Sequence, residues 1–484
     1  MPRIGRLSPA SRRWLLWIGI GVGLRLLFIW FPRPGDPDTQ DYLELGSNLL
    51  HHGIYGQSSG SRIFPSLFRL PGYPIFLATC QQLVARIWPA APSIWLRFVF
   101  VLQAAADIAS GLLLAAFARR HISPRAAEFT LALAMICPFT AAYAGIAMTE
   151  CLSVFAISLG IYAAGRALAA EHAGERDYAA LILAGCASGL AMLLRPDGAL
   201  LSVALCAGLL VYTFRSYAAT QGPQSALRHG LAAACLFGLV ALLPLVPWTL
   251  RNWGQFHVFQ PLAPRYLNDP GERANTGFYR WLRTWSVEYV TTATVYWSIG
   301  SDPIDLADLP ARAFDSPGQR EQTLQLIAIY NTNYSISAEL DARFAALAAE
   351  RIRAHPLRYF LVLPSIRITD MLLRPRTEAF YLEVFWWPWS EHPWQTTCAI
   401  LLGLVNLFYL AAAAWAFLSR RVPFAWMLGG YLLLRFVLLG TMENSEPRYT
   451  LECFPILILG AAAALNAIGA SPVQHASSVA TSAY

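Results

Sequence analysis

The stretch Tyr73-Pro74-Ile75-Phe76-Leu77-Ala78-Thr79-Cys80-Gln81-Gln82-Leu83-Val84-Ala85-Arg86-Ile87-Trp88 decides how the rest of the chain is read. It is apolar enough to suggest a membrane crossing. It is also only 16 residues long and carries Gln81, Gln82 and Arg86, whereas a helix needs about 20 apolar residues to cross a hydrocarbon core. Its reading sets the side of every later loop, because one span more or less inverts all that follow.

The arginines arbitrate. Arg3, Arg6, Arg12 and Arg13 precede the first apolar run, which places the N-terminus in the cytoplasm. Later short loops hold Arg119-Arg120 with Arg125, then Arg166 and Arg176, then Arg215 and Arg228, then Arg420-Arg421. Ten spans near 14–31, 95–118, 126–147, 150–168, 178–194, 198–214, 230–250, 396–419, 423–440 and 450–468 put all these loops on the cytoplasmic side. Counting 73–88 as an eleventh would turn them outward, so that stretch is expected to be an interfacial or re-entrant helix. The same holds for 357–373, which Pro364, Arg367 and Asp370 interrupt. The first run, Trp14 to Phe31, is long and has no small-residue cleavage site before Arg33, so it is expected to stay as a span.

Composition agrees with a bilayer protein. Of 484 residues 56% are hydrophobic and 13% charged, against roughly 25% charged in soluble domains; mean hydropathy is +0.43. The net charge of +7 comes from Arg alone, since the chain has no Lys. Any phosphate held by a long cationic side chain must therefore meet Arg, whose planar fork suits bidentate contacts. No basic run with interleaved aromatics sits in a polar segment, so nucleic acid is not an expected partner. The eight Cys are scattered through apolar segments without a CxxC pair, which speaks against a disulfide framework or a thiolate metal site.

Two long outward segments follow from the span count, from Pro32 to about Trp95 and from Arg251 to about Gln395, and loops of this length are usually functional. The expected division is an N-terminal transmembrane module over 1–260 with the first loop, a large loop over 261–395, and C-terminal spans over 396–484 with a short polar tail. In the second loop Ser337 to Ala354 reads as a helix with Phe344, Leu347 and Ile352 inward. Phe385-Trp386-Trp387-Pro388-Trp389 reads as an interfacial aromatic belt.

The first loop opens with Asp36-Pro37-Asp38-Thr39-Gln40-Asp41-Tyr42. Asp36 suits an N-cap and Pro37 a first helical position, so Asp38 falls in the first turn with Tyr42 and Leu45 on its face. Asp38 could merely complement the helix dipole; its place just after the first span favours a functional carboxylate. Glu150 begins a span at its outer end, where an ionisable group is costly unless solvated or paired. It is a water-exposed cap or a second carboxylate facing Asp38, able to orient an acceptor or to hold a divalent cation. Arg195, Arg251 and Arg448 lie at outer span ends, where cations are the minority, and Arg69 lies on the same side. Inside spans sit Arg25, Asp107 and Arg435, either an interhelical ion pair or, in a transporter, a mid-membrane relay. His51-His52 do not share a helix face and carry no metal-site spacing.

Several of these motifs, in this order, resemble the GT-C superfamily of membrane glycosyltransferases, in particular bacterial relatives of protein O-mannosyltransferases and the lipid A aminoarabinose transferase. They are Asp38-Thr39-Gln40-Asp41-Tyr42 with Gly53-Ile54-Tyr55-Gly56, Arg69-Leu70-Pro71-Gly72-Tyr73-Pro74, Met148-Thr149-Glu150, Leu193-Leu194-Arg195-Pro196, Pro247-Trp248-Thr249-Leu250-Arg251-Asn252, and Arg448-Tyr449 ahead of Pro455. The resemblance implies an all-α polytopic fold and transfer of a sugar from a polyprenyl-phosphate donor to a glycan, lipid or protein acceptor. It implies Asp38 as general base, Glu150 as a second catalytic carboxylate, and Asp41, Tyr42, Arg69, Tyr73, Arg195, Arg251, Arg448 and Tyr449 as substrate-binding residues. In the aminoarabinose transferase pattern an Arg stands three positions after the Asp. Here that position is Asp41, and Arg69 is the nearest replacement. The rival reading is a lipid-linked-sugar flippase or another multi-span transporter, which would need essential mid-span charges.

Overall fold

A computed structural model describes residues 8–32 and 37–469. The expected N-cap Asp36, Arg3, Arg6 and the polar tail beyond 469 lie outside the described residues. Helix dominates, and among the described residues seven helices are long and apolar enough to cross a membrane, or eight if one bent pair counts as a single span. Two shorter apolar helices, Tyr178–Leu194 and Ala425–Gly440, complete the ten expected positions. The chain is a multi-pass membrane protein with an all-α polytopic fold.

Two compact units can be separated. The first takes in residues up to 270 with 408–431 and the stretch from 451 on, and the second takes in 271–407 with 432–450. The first unit begins with α1 (Pro9–Trp30), α2 (Pro37–His52) and α3 (Gly72–Ile87). It continues with α4 (Trp95–His121), α5 (Pro124–Ile136), the short α6 (Pro138–Ala142), α7 (Glu150–His172) and α8 (Tyr178–Leu194). Then come α9 (Ala199–Gln221), α10 (Pro223–Leu242) and α11 (Leu245–Phe256).

The stretch Tyr73–Trp88 forms α3, which is not among the helices able to span. Its residues Tyr73, Leu77, Cys80 and Val84 recur at helical spacing and are buried, while Ile75, Leu83, Ile87 and Trp88 remain exposed. It therefore has one face in the core and a second apolar face on the surface.

Two expected spans are broken, in both cases by proline. The span expected over 126–147 bends by 42° between α5 and the helical stretch after it. Pro138 has no N–H to give Ala134, so the helix cannot continue through it. Arg25 takes over the freed carbonyls, donating from Nη2 to Ala134 O at 2.9 Å and from Nη1 to Met135 O at 2.5 Å. The same guanidinium pairs with Asp107, Nη2 to Oδ2 at 2.7 Å, so the mid-span charges form an interhelical pair. The span expected over 230–250 ends at Leu242, and α11 starts afresh after Pro244.

One element lies outside the all-helical expectation. Gly56–Ser59 (β1) and Arg62–Pro65 (β2) pair antiparallel in register Gly56 with Pro65 and Ser59 with Arg62. Gly60 takes φ +62° at the first position of the two-residue turn, which a side chain would resist.

The second unit is built on α12 (Thr276–Leu282), α13 (Pro317–Asn333), α14 (Ala338–Ala354) and α15 (Leu363–Leu373). Its core holds Phe278, Trp281, Trp285, Ile327, Tyr330 and Phe344. Ser337 caps α14 by accepting from Leu340 N at 3.1 Å, and Phe344, Leu347 and Ile352 point inward as expected. Phe385, Trp387 and Trp389 are exposed, as an interfacial belt requires. Of the two last long helices before α18 (Phe454–Ile468), α16 (Pro393–Leu418) and α17 (Ala425–Gly440) contribute to both units.

Candidate active site

The first unit gathers the expected residues around the N-terminal end of α2. Pro37 opens the helix and Asp38 occupies its first turn. Tyr42 and Leu45, one and two turns on, are buried. Beneath them Tyr42, Tyr73, Leu77, Val99, Phe100, Ala147 and Leu194 form one apolar cluster, joining α2, α3, α4, the segment before α7 and the end of α8. Gly72 permits the closest of these approaches, since a Cβ there would lie 2.6 Å from the Leu193 carbonyl oxygen.

Arg69 bridges Asp38 in the first turn and Asp41 just beyond it. Its Nη2 donates to Asp38 Oδ1 at 2.5 Å and to Asp41 Oδ2 at 2.9 Å, and its Cζ lies 5.3 Å from the centroid of the Tyr42 ring. Burial works against the Arg69 charge, but Tyr42, Asp38 and Asp41 together hold it on. Burial pushes the Asp41 carboxyl above its usual range against the pull of Arg69.

The loop carrying Arg69 is fixed from three sides. Tyr55 donates its hydroxyl to the carbonyls of Arg69 at 3.0 Å and Leu70 at 3.1 Å. Arg251 donates to the carbonyls of Ser66 and Tyr55, each at 2.7 Å, and stands over the rings of Trp248 and Phe256. Asp269 accepts from Leu67 N at 2.7 Å. The hairpin leans on α2, with Asn48 donating to Gly56 O at 2.9 Å and Glu44 accepting from Ser58 N at 2.7 Å.

A second group forms around Arg195. Pro196 ends α8 there, and the Arg195 side chain reaches Glu150 through Nη1 at 3.1 Å, Asp197 through Nε at 3.3 Å and Glu452 through Nε at 3.2 Å. Glu150 and Glu452 are buried. Burial opposes the Arg195 charge, but Glu452, Asp197 and Glu150 outweigh it and hold its pKa well above the ordinary value. Tyr42 is coupled to both groups: burial raises its pKa, and Arg69, Asp38, Arg195 and Glu150 all act on its hydroxyl.

Not every expected residue offers a ligand surface. Tyr73 is fully buried and its hydroxyl donates to Gln103 Oε1 at 2.6 Å. Gln103 in turn donates to the carbonyls of Tyr143, Ala144 and Ile146. Tyr73 therefore supports the break before α7. Arg251 faces backbone carbonyls and aromatic rings. In the second unit Arg448 pairs with Glu446, and the Tyr449 hydroxyl lies 2.9 Å from Glu446 Oε1. Arg435 donates to Tyr449 O. Asp38 and Glu150, read as able to orient an acceptor or to hold a divalent cation, are each ion-paired to a different arginine, and among the described residues no three His, Cys, Asp or Glu side chains are placed to hold a metal ion. The donor set does not fit a cation bridging these two residues.

Two carboxylates went unread in the sequence. Asp197 follows Arg195 by two positions in the turn that Pro196 creates. Glu452 was signalled by its type, an acid inside the last apolar stretch, where it needs a partner.

This polar cluster stands at the start of α7 and the end of α8, both strongly apolar helices. No protein-family model matches the sequence, and no curated protein matches it. Among solved structures, the apo crystal structure of the Archaeoglobus fulgidus oligosaccharyltransferase aligns with a TM-score of 0.52 at 16% identity, over 99% of this chain and 53% of that one. The same enzyme tethered to an acceptor peptide aligns with 0.51 at 14%, over 95% and 49%. The A. fulgidus oligosaccharyltransferase AglB in complex with an inhibitory peptide and a dolichol-phosphate aligns with 0.50 at 15%, over 98% and 54%. The chain spans about half the length of these proteins, and at such identities the likeness is one of fold.

Proposed function

We propose that this chain is a membrane glycosyltransferase that moves a hexosyl or pentosyl group from a polyprenyl-phosphate carrier to a glycan, lipid or protein acceptor. The observation that carries the reading is Asp38, a partly exposed carboxylate at the start of α2 beside Arg69, above apolar helices that could shelter a lipid tail. Asp38 takes the proton of an acceptor hydroxyl while the oxygen attacks the anomeric carbon. The bond from that carbon to the phosphate oxygen breaks, and the polyprenyl phosphate leaves with the electron pair, so the configuration inverts. A positioned base contributes roughly 10²–10⁴-fold. Arg69 and Arg195 are the cations near the leaving phosphate, and in a water-poor site such donors count for more than in water. An arriving phosphate competes with Asp41 for the Arg69 fork.

The arginine distribution supports an N-terminus in the cytoplasm and a site on the outer face of the cytoplasmic membrane. A transporter would have to part its mid-span charges first, since Arg25 and Asp107 are bound to each other and Arg435 donates to a backbone carbonyl. Lipid extraction of protein purified in mild detergent, followed by mass spectrometry, tests the proposal. A sugar-bearing polyprenyl phosphate is expected, retained less by Arg69→Ala. Recovery of bulk phospholipids alone from wild type and variant alike would remove the lipid-linked donor.

A further inference from the structure

At the ends of α4 and α7 remote from the acid groups lies a second constellation. Ala116, Arg119 and Arg120 of α4 and Tyr162 and Arg166 of α7 line a cavity of about 360 Å³. The spacing accounts for it: Arg119 and Arg120 stand three and four residues after Ala116, and Arg166 four after Tyr162, so each helix gives one face. Arg166 donates through Nε to Asp177 Oδ2 at 3.0 Å. Among the described residues no carboxylate stands within ion-pair distance of Arg119 or Arg120. Three guanidinium groups against the one carboxylate of Asp177 leave a surplus of two positive charges.

The pocket also has an apolar approach. On α7 the half-buried residues Phe155, Leu159, Tyr162 and Arg166 follow one another at helical spacing, a strip that runs along the helix into the cavity. Arg166 lies 16 residues after Glu150. At 1.5 Å per residue this sets the cavity roughly 24 Å from the acid group around Arg195, close to the ~30 Å thickness of a hydrocarbon core. The acid groups and the basic pocket therefore mark opposite ends of one bundle.

We infer that this pocket binds the phosphodiester headgroup of an anionic phospholipid from the leaflet opposite the candidate active site. Paired arginine forks match phosphate oxygens, the Tyr162 hydroxyl adds a donor, and the α7 strip offers a bed for an acyl chain. A free phosphate would use the arginines and the hydroxyl but not the strip. Basic pockets at helix ends recognise acidic lipid headgroups by this chemistry. The inference is independent of the transfer reaction.

Native mass spectrometry of the full-length protein in mixed micelles tests it, with phosphatidylglycerol and phosphatidylcholine as probes. Wild type is expected to retain phosphatidylglycerol over phosphatidylcholine, and Arg119→Ala/Arg120→Ala to bind it about tenfold more weakly or worse, as loss of charge-assisted hydrogen bonds implies. Arg119→Gln and Arg120→Gln, tested singly, carry the comparison should the double variant fail to fold. Millimolar inorganic phosphate should leave the lipid in place. Equal retention of phosphatidylglycerol by wild type and the folded variants, equal retention of both lipids, or displacement by inorganic phosphate would overturn the inference.

Discussion

Arg69 holds Asp38 by a single strong contact, Nη2 to Oδ1 at 2.5 Å, and shares the same nitrogen with Asp41 Oδ2 at 2.9 Å. A carboxylate so held is a poor base until the guanidinium is drawn away. In the proposed reaction the donor phosphate does the drawing, which couples donor arrival to the readiness of Asp38.

Arg69→Ala should therefore weaken donor binding about tenfold or more, since a hydrogen bond to a charged group is worth roughly 1.5–3 kcal/mol. Arg69→Lys should restore part of it, because an ammonium lacks the bidentate fork. Arg251→Ala is the contrast: it removes contacts to the carbonyls of Tyr55 and Ser66 and should lower the unfolding midpoint. Donor titrations alongside thermal melts separate the two. Unchanged donor affinity in folded Arg69→Ala would detach that arginine from the phosphate.

Asp107→Asn should act on stability and leave the chemistry alone. Arg25 would keep a buried charge with only carbonyls for company, and breaking a buried pair costs about 3–5 kcal/mol. Protein that melts earlier yet turns over normally at low temperature is the expected outcome. Well-folded protein that melts normally but has lost activity would return the mid-span charges to the centre of the mechanism.

Asp370, on α15, gives a pH dependence of known sign. Burial pushes its carboxyl from 3.8 up to about 6, against the pull of Arg374, and its Oδ2 accepts from Tyr289 N. Because the folded-state pKa is the higher one, the fold favours the protonated form. The associated stability is present below about pH 4 and lost as pH rises through about 6. Asp370→Asn keeps an acceptor for Tyr289 without the ionisation. The melting midpoint of the wild type should fall relative to this variant between pH 4 and 6, and parallel curves would contradict the assignment.

Much of this arrangement was legible in the sequence for physical reasons. The shortness of Tyr73–Trp88 and its glutamines argue against a crossing, and α3 is indeed not among the helices long and apolar enough to span. Spacing alone puts Tyr42 and Leu45 on the face of α2 that carries Asp38, whereas their burial follows from packing that spacing does not reveal. The hairpin was harder, because two four-residue strands leave almost no period to detect, although Gly60-Ser61 is a turn signal. The bend at Pro138 was written in the chain, but its repair by Arg25 depends on a contact across more than a hundred residues. The same limit applies to Arg195. Its charge and position were evident, and its partners Glu150 and Glu452 come from segments that only packing brings together.

In the proposed reaction Asp38 deprotonates the acceptor during transfer from a polyprenyl-phosphate-linked sugar. The deciding measurement follows polyprenyl phosphate release from such a donor by purified protein in the presence of acceptor, for wild type and Asp38→Asn. Wild type should release it, and an Asp38→Asn variant that melts and inserts normally should be slower by at least about a hundredfold. Release by Asp38→Asn at the wild-type rate would contradict this role for Asp38.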